Sequence, residues 1–153
     1  MLDEGTKDWL SASKIDNMSY FSESIDIHHI FPVVWCKRNN ISKNDFDCII
    51  NKTPLSGRTN RIVSGDPPSK YIPRIRNHAG VSNEEFNKIL ETHVLDIELL
   101  ISDDFERFFK DRKERILNRI ETAMGKKINR DNDENLEGNL IEDISENDED
   151  NTF

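Results

Sequence analysis

No run of apolar residues in this chain approaches the roughly 20 that a membrane-crossing helix needs. The opening MLDEGTKDWL lacks the basic-then-apolar order of a secretory signal and is acidic instead. A cytoplasmic protein is therefore expected. Cysteine is scarce: Cys36 and Cys48 lack paired metal-ligand spacing and, with no sign of secretion, read as reduced thiols rather than a disulfide. No glycine-rich loop able to cradle a nucleotide phosphate occurs, and no internal repeat. Apolar residues make up only 35% of the 153 and charged ones 33%. That suits one modest core with part of the chain disordered.

Basic residues are missing altogether from Asp131 onward, where ten acidic ones accumulate. The formal net charge of −9 therefore belongs to this tail, since residues 1–130 carry 21 basic groups against 20 acidic. Between His28 and Gly80 the balance reverses, with nine lysines and arginines against Asp45, Asp47 and Asp66. A local surplus of that sign suits a polyanion whose phosphates it can neutralise. Its plain rival is a set of solvated loops.

The elements follow from periodicity and punctuation. "SIDIHHIF" alternates Ile25 and Ile27 against Asp26 and His28 and predicts a strand stopped by Pro32. "VVWCKRNNISKNDFD" reads as a connection holding Trp35, with Asn39-Asn40 as a turn signal. "CIINKTPLS" predicts a second short strand, followed by the short polar "SGRTNRIVSG" and a helical turn opened by Pro67-Pro68. Ser82 and Glu85 have capping-box spacing ahead of Phe86, Ile89, Leu90 and Val94. Ser102 is the expected cap of a long helix with the stripe Phe105, Phe108, Phe109, Ile116 and Ile120, and Gly125 its stop. Trp9-Leu10 and Tyr20-Phe21 are expected anchors onto the core, as are Trp35 and Tyr71.

Four polar residues surround the two strands: His28, His29, Asn51 and Asn60. They suit phosphodiester hydrolysis, in which a divalent ion grips phosphate and leaving oxygens while a neutral imidazole takes a proton from water. Histidine fits the base because its pKa lies near neutrality. Imidazole and amide ligands without a carboxylate should hold the ion weakly until phosphate oxygens complete its shell.

The stretch "DIHHIFP…INKTPLSGRTNR" resembles the HNH, or ββα-metal, nuclease motif. More broadly, residues 7–126 resemble the C-terminal half of ParB/sulfiredoxin-like NTPase plus HNH proteins, similar to GmrSD-type modification-dependent restriction enzymes. The resemblance implies an α+β fold: a ββα-metal core at residues 21–80, an N-terminal segment at 1–20 packing on it, and a helical extension at 81–126. A disordered acidic tail at 127–153 completes the expectation. It also implies roles. His29 is the general base, His28 a metal ligand where many such nucleases have aspartate, Asn51 the brace that orients the base, and Asn60 the second ligand. Arg58, Arg61 and Lys52 are the expected phosphate-binding residues. The implied ion is Mg²⁺ or Mn²⁺, with Ni²⁺ or Zn²⁺ also tolerated by a histidine ligand.

The implied activity is DNA cleavage in restriction of phage or foreign DNA, alongside an NTPase or specificity module encoded upstream, with no membrane partner. The opening Met1 fits a split gene, truncated frame or separate subunit. Each role has a bland rival: His29 a core histidine, His28 an exposed strand residue, Asn51 a turn stabiliser, Asn60 a loop residue with Asp26 as replacement ligand. His93 is expected to be structural and His78 a surface residue. Because neighbouring strand residues face opposite ways, the reading expects the chain to leave strand geometry at His28-His29. The competing function is a silent nucleic-acid-binding module masked by its acidic tail.

Overall fold

The computed structural model describes residues 5–16, 22 and 24–130. Over these the chain is mixed α+β and mostly helical, with one two-stranded sheet. Strand β1 (Ile25–His29) pairs antiparallel with β2 (Lys52–Ser56), Ile25 opposite Ser56 and His29 opposite Lys52. A two-stranded ribbon is marginal by itself, and burial of β2 from Thr53 to Ser56 anchors it. In β1 Ile25 is buried, but Ile27 is 50% exposed, so only half of the expected apolar alternation faces the core.

The segment expected to be a plain connection contains two short helices, α1 (Val33–Arg38) and α2 (Lys43–Phe46). Ser42 caps α2 by accepting from the Asp45 N–H at 3.2 Å, which is local side-chain capping rather than long-range order. A 3₁₀ turn (Ile49–Asn51) leads into β2, and α3 (Gly57–Val63) follows it directly. Ser56 caps α3 through the Thr59 N–H at 3.1 Å. The Asp8 carboxylate joins that cap from 48 residues away, accepting from the Ser56 N–H at 2.9 Å and the Thr59 hydroxyl at 2.8 Å. Burial pushes its pKa up, but the hydrogen bonds from Ser56, Thr59 and Ser11 outweigh it and hold the carboxyl below its ordinary value.

Helix α4 (Pro68–Ala79) is far longer than the expected turn, begins with proline in its first turn and ends at Gly80 with φ +66°. Helix α5 (Asn83–Thr92) has the predicted reciprocal Ser82–Glu85 capping box. It stops before Val94, which takes a left-handed φ of +62°. The Val94 N–H reaches the Glu91 carbonyl at 3.0 Å and the Leu95 N–H the Leu90 carbonyl at 3.2 Å, the closing pattern usually given to glycine. Burial of Val94 and Leu95 holds valine in that conformation.

Ser102 ends α6 (Ile97–Ile101) rather than opening the long helix. Asp104 takes the expected role before α7 (Phe105–Met124), accepting from the Arg107 N–H at 3.1 Å. The apolar stripe of α7 buries Phe105 and Phe108, continues as Arg112, and fades to an Ile120 that is 41% exposed. Phe31 gathers Trp35, Phe105 and Phe108 at centroid distances of 5.0, 5.3 and 4.9 Å. Trp9 is fully buried and stacks on Tyr71 at 6.1 Å.

Two compact units divide the chain, Met1–Ile116 and Leu117–Phe153. Within the described part of the second, Glu121 accepts from the Ile128 N–H at 2.9 Å and pairs with Arg130 at 3.1 Å. The expected disorder of the tail beyond residue 130, and the anchors Tyr20 and Phe21, lie outside the described residues. Among the described residues no helix is long and apolar enough to cross a membrane. Cys36 and Cys48 are both free, and burial pushes the Cys36 thiol up to about 11.

His93 is wholly buried and structural, as expected. Its Nε2 lies 2.6 Å from the Lys7 carbonyl, an acceptor only, so that nitrogen carries the proton. Nδ1 then accepts from the Thr53 hydroxyl at 2.6 Å. Burial pushes the imidazole pKa down to about 4 from 6.5. Above pH 6.5 the ring is neutral folded or unfolded; as pH falls from 6.5 to 4, protons favour the unfolded chain. Across that window about 3 kcal/mol of stability should be lost, before carboxylate protonation contributes. Urea unfolding at pH 7 and pH 4.5 measures it, and His93→Gln should remove most of that pH dependence.

Candidate active site

The two histidines end β1 and remain in pairing register, His28 opposite Thr53 and His29 opposite Lys52. The expected departure from strand geometry does not occur, so the two side chains project to opposite faces. The ladder extends one step further, the Ile30 N–H donating to the Asn51 carbonyl at 2.8 Å.

Asn51 is fully buried and uses its whole amide. Its Oδ1 accepts from the Phe31 N–H at 2.8 Å, and its Nδ2 donates to the carbonyls of Phe31 at 3.0 Å and Phe46 at 2.9 Å. It ties the chain leaving β1 to the chain leaving α2. Asn51→Ala strands the Phe31 N–H and two carbonyls in the interior. Its expected cost is about 2–3 kcal/mol, read from the urea midpoint at unchanged m.

His29 Nε2 lies 3.1 Å from Asp47 Oδ1, and Lys52 Nζ lies 2.8 Å from the same oxygen. Hydrogen bonds from Lys52 and then His29 hold the Asp47 carboxyl below its ordinary value. The His29 ring also meets Phe46 edge-on at 6.5 Å. Lys52, read from sequence as a phosphate ligand, thus has its ammonium on Asp47.

His28 has a buried Nε2 with no hydrogen-bond partner among the described residues. Burial lowers its pKa, the Asp26 carboxylate opposes this, and His29 adds to it. A neutral imidazole with an unpartnered nitrogen is suited to donate a lone pair. Asp26 is exposed and its Oδ1 accepts from the Ile27 N–H at 2.7 Å.

Helix α3 packs against both strands and carries Arg58, Asn60 and Arg61. Asn60 is half-buried, and its side chain makes no hydrogen bond among the described residues. Arg58 and Arg61 are exposed, without an ion pair among the described residues. Among the described residues no three His, Cys, Asp or Glu side chains form a metal-holding group. The candidate donors are one imidazole and one amide oxygen, both neutral, and the orphaned His28 nitrogen fits a ligand role.

Sequence reasoning passed over Asp47, which entered only as an acidic count, and Arg112, which entered not at all. The Arg112 guanidinium is buried and donates to the carbonyls of Ile50, of Lys52 at 2.9 Å and of His93 at 3.1 Å. It thereby clamps the turn that carries Asn51. No spacing rule pointed to either residue. His78 sits exposed in the last turn of α4, its ring nitrogen 2.8 Å from the Arg74 carbonyl.

No family model and no solved structure matches this chain. It is similar to an uncharacterized protein of the archaeon Methanocaldococcus jannaschii, MJ0686, at 30% identity over 128 residues. The match covers 70% of this chain and 22% of the other, so the chain spans about a fifth of that relative's length.

Proposed function

We propose that this chain is a divalent-metal-dependent DNA endonuclease domain of the HNH, ββα-metal type, acting in restriction of phage or foreign DNA. One observation carries the reading: a strand ending in two histidines pairs with a second strand, which an asparagine-braced turn leads into and the helix bearing Asn60 follows. His28 and Asn60 are the residues to hold the ion, Mg²⁺ or Mn²⁺ by preference. When bound, the ion would polarise a phosphate oxygen and stabilise the leaving 3′ oxygen. His29 takes the proton of the attacking water. Arg58 and Arg61 neutralise neighbouring phosphates.

These groups address the DNA backbone, which carries no sequence information. Target choice then falls to another module, such as an NTPase or specificity subunit. Matching one stretch of a much longer archaeal protein is compatible with a domain that works beside others.

The test is plasmid incubated with the full chain and Mg²⁺, Mn²⁺, Ni²⁺ or Zn²⁺, each with an EDTA control. Nicking or linearisation that EDTA stops is expected. Retention of DNA with no cleavage under any ion would leave the chain a binding module instead.

A further inference from the structure

We infer that Asp47 is the positioning residue of His29, and that buried Asn51 orients the base through it rather than by touching the ring. The contacts form one chain. Asn51 Nδ2 holds the Phe46 carbonyl at 2.9 Å, which fixes the peptide leading into Asp47. The Asp47 backbone N–H is held in turn by the Lys43 carbonyl at 2.9 Å, at the end of α2. With the one peptide that precedes it held through both its carbonyl and its N–H, Asp47 presents Oδ1 to His29 Nε2 at 3.1 Å. Asn51 makes no hydrogen bond to the His29 ring: its three side-chain contacts all go to the backbone of Phe31 and Phe46.

An ionised carboxylate only accepts, and Asp47 has an ammonium on the same oxygen at 2.8 Å. The shared proton therefore belongs to His29 Nε2, and Nδ1 keeps its lone pair for an incoming proton. The carboxylate also fixes the orientation of the ring, as an acid does for a catalytic histidine elsewhere. Lys52 has a matching part: it shares Oδ1 with the ring and keeps the carboxylate charged. In the register of the sheet it stands opposite His29, so the trio is built by strand pairing and one turn.

The catalytic half of this inference rests on the proposed hydrolysis; the placement of the proton does not, and the test separates them. The full chain, labelled with ¹⁵N-histidine and free of metal, is observed by long-range ¹H–¹⁵N correlation, with His29 assigned from its loss in His29→Ala. The His29 Nε2 proton should be visible and deshielded in the wild-type chain and in Lys52→Ala, and lost to solvent exchange in Asp47→Ala. Asp47 is exposed, so this variant should melt with the wild type. In DNA cleavage Asp47→Ala should lower kcat about 10- to 100-fold, part of a general base's contribution, with KM changed less than about twofold. A wild-type His29 protonated on Nδ1, or an Nε2 proton signal unchanged in Asp47→Ala, overturns the inference. If the chain cuts no DNA while the Nε2 signal behaves as expected, the positioning contact stands and hydrolysis falls.

Discussion

His29→Ala should lower the rate of DNA cleavage by about 10²- to 10⁴-fold, the range that a positioned general base contributes. The ring is partly exposed, and its contacts are Asp47 and the edge of Phe46. Its removal should therefore leave the melting temperature within a degree or two, because no buried group is stranded. The loss should fall on kcat, with DNA affinity held by Arg58 and Arg61. His28→Ala should behave differently: more divalent ion should restore part of its activity, which no ion concentration can do for a missing base. Equal cleavage by His29→Ala and wild type would remove the imidazole from the mechanism.

Arg112→Met should have the largest effect on stability, about 3 kcal/mol or more. The guanidinium is 1% exposed and no carboxylate pairs with it among the described residues; it is held by carbonyl oxygens of the Ile49–Lys52 turn and of His93. Burial pushes its pKa down to about 10, so it stays charged at neutral pH. An apolar replacement can equal a buried ion pair when both partners leave together. Here the carbonyls remain, converging on a side chain that no longer donates. Arg112→Lys should recover only part of the loss, since one ammonium cannot reproduce the planar fork. A urea midpoint for Arg112→Met close to the wild-type value would show that the clamp is dispensable.

What could be read from the residues alone was mostly local. The Ser82–Glu85 box lies within one turn, and its two hydrogen bonds form as spacing demands. Gly125, with φ +63°, ends α7 for the same kind of reason. Both strands were legible from β-branched and turn residues, although Ile27 shows that alternation does not guarantee burial on a narrow ribbon.

Long-range contacts were not legible. Asp8 caps a helix 48 residues away, and Arg112 enters a turn about 60 residues away. A lone arginine on an apolar stripe reads as an interruption until its carbonyl partners are known. Ser102 and Asp104 are both good caps two residues apart, and only packing decides between them. At the candidate site the buried hydrogen bonds of Asn51 and the contact of Asp47 with His29 both depend on how α2 ends, which no local pattern gives.

The His28-His29 register constrains the chemistry. Both residues stay within β1, so a phosphate they share must lie beyond the strand's end, where the chain turns at Ile30. The most direct measurement is anomalous diffraction from crystals of the full chain soaked with Mn²⁺ and a short DNA duplex. A manganese peak bonded to His28 Nε2 and the Asn60 amide oxygen is predicted, with a phosphate one water molecule from His29 Nδ1. Manganese bound elsewhere, with His28 and Asn60 bare and DNA present, would contradict it.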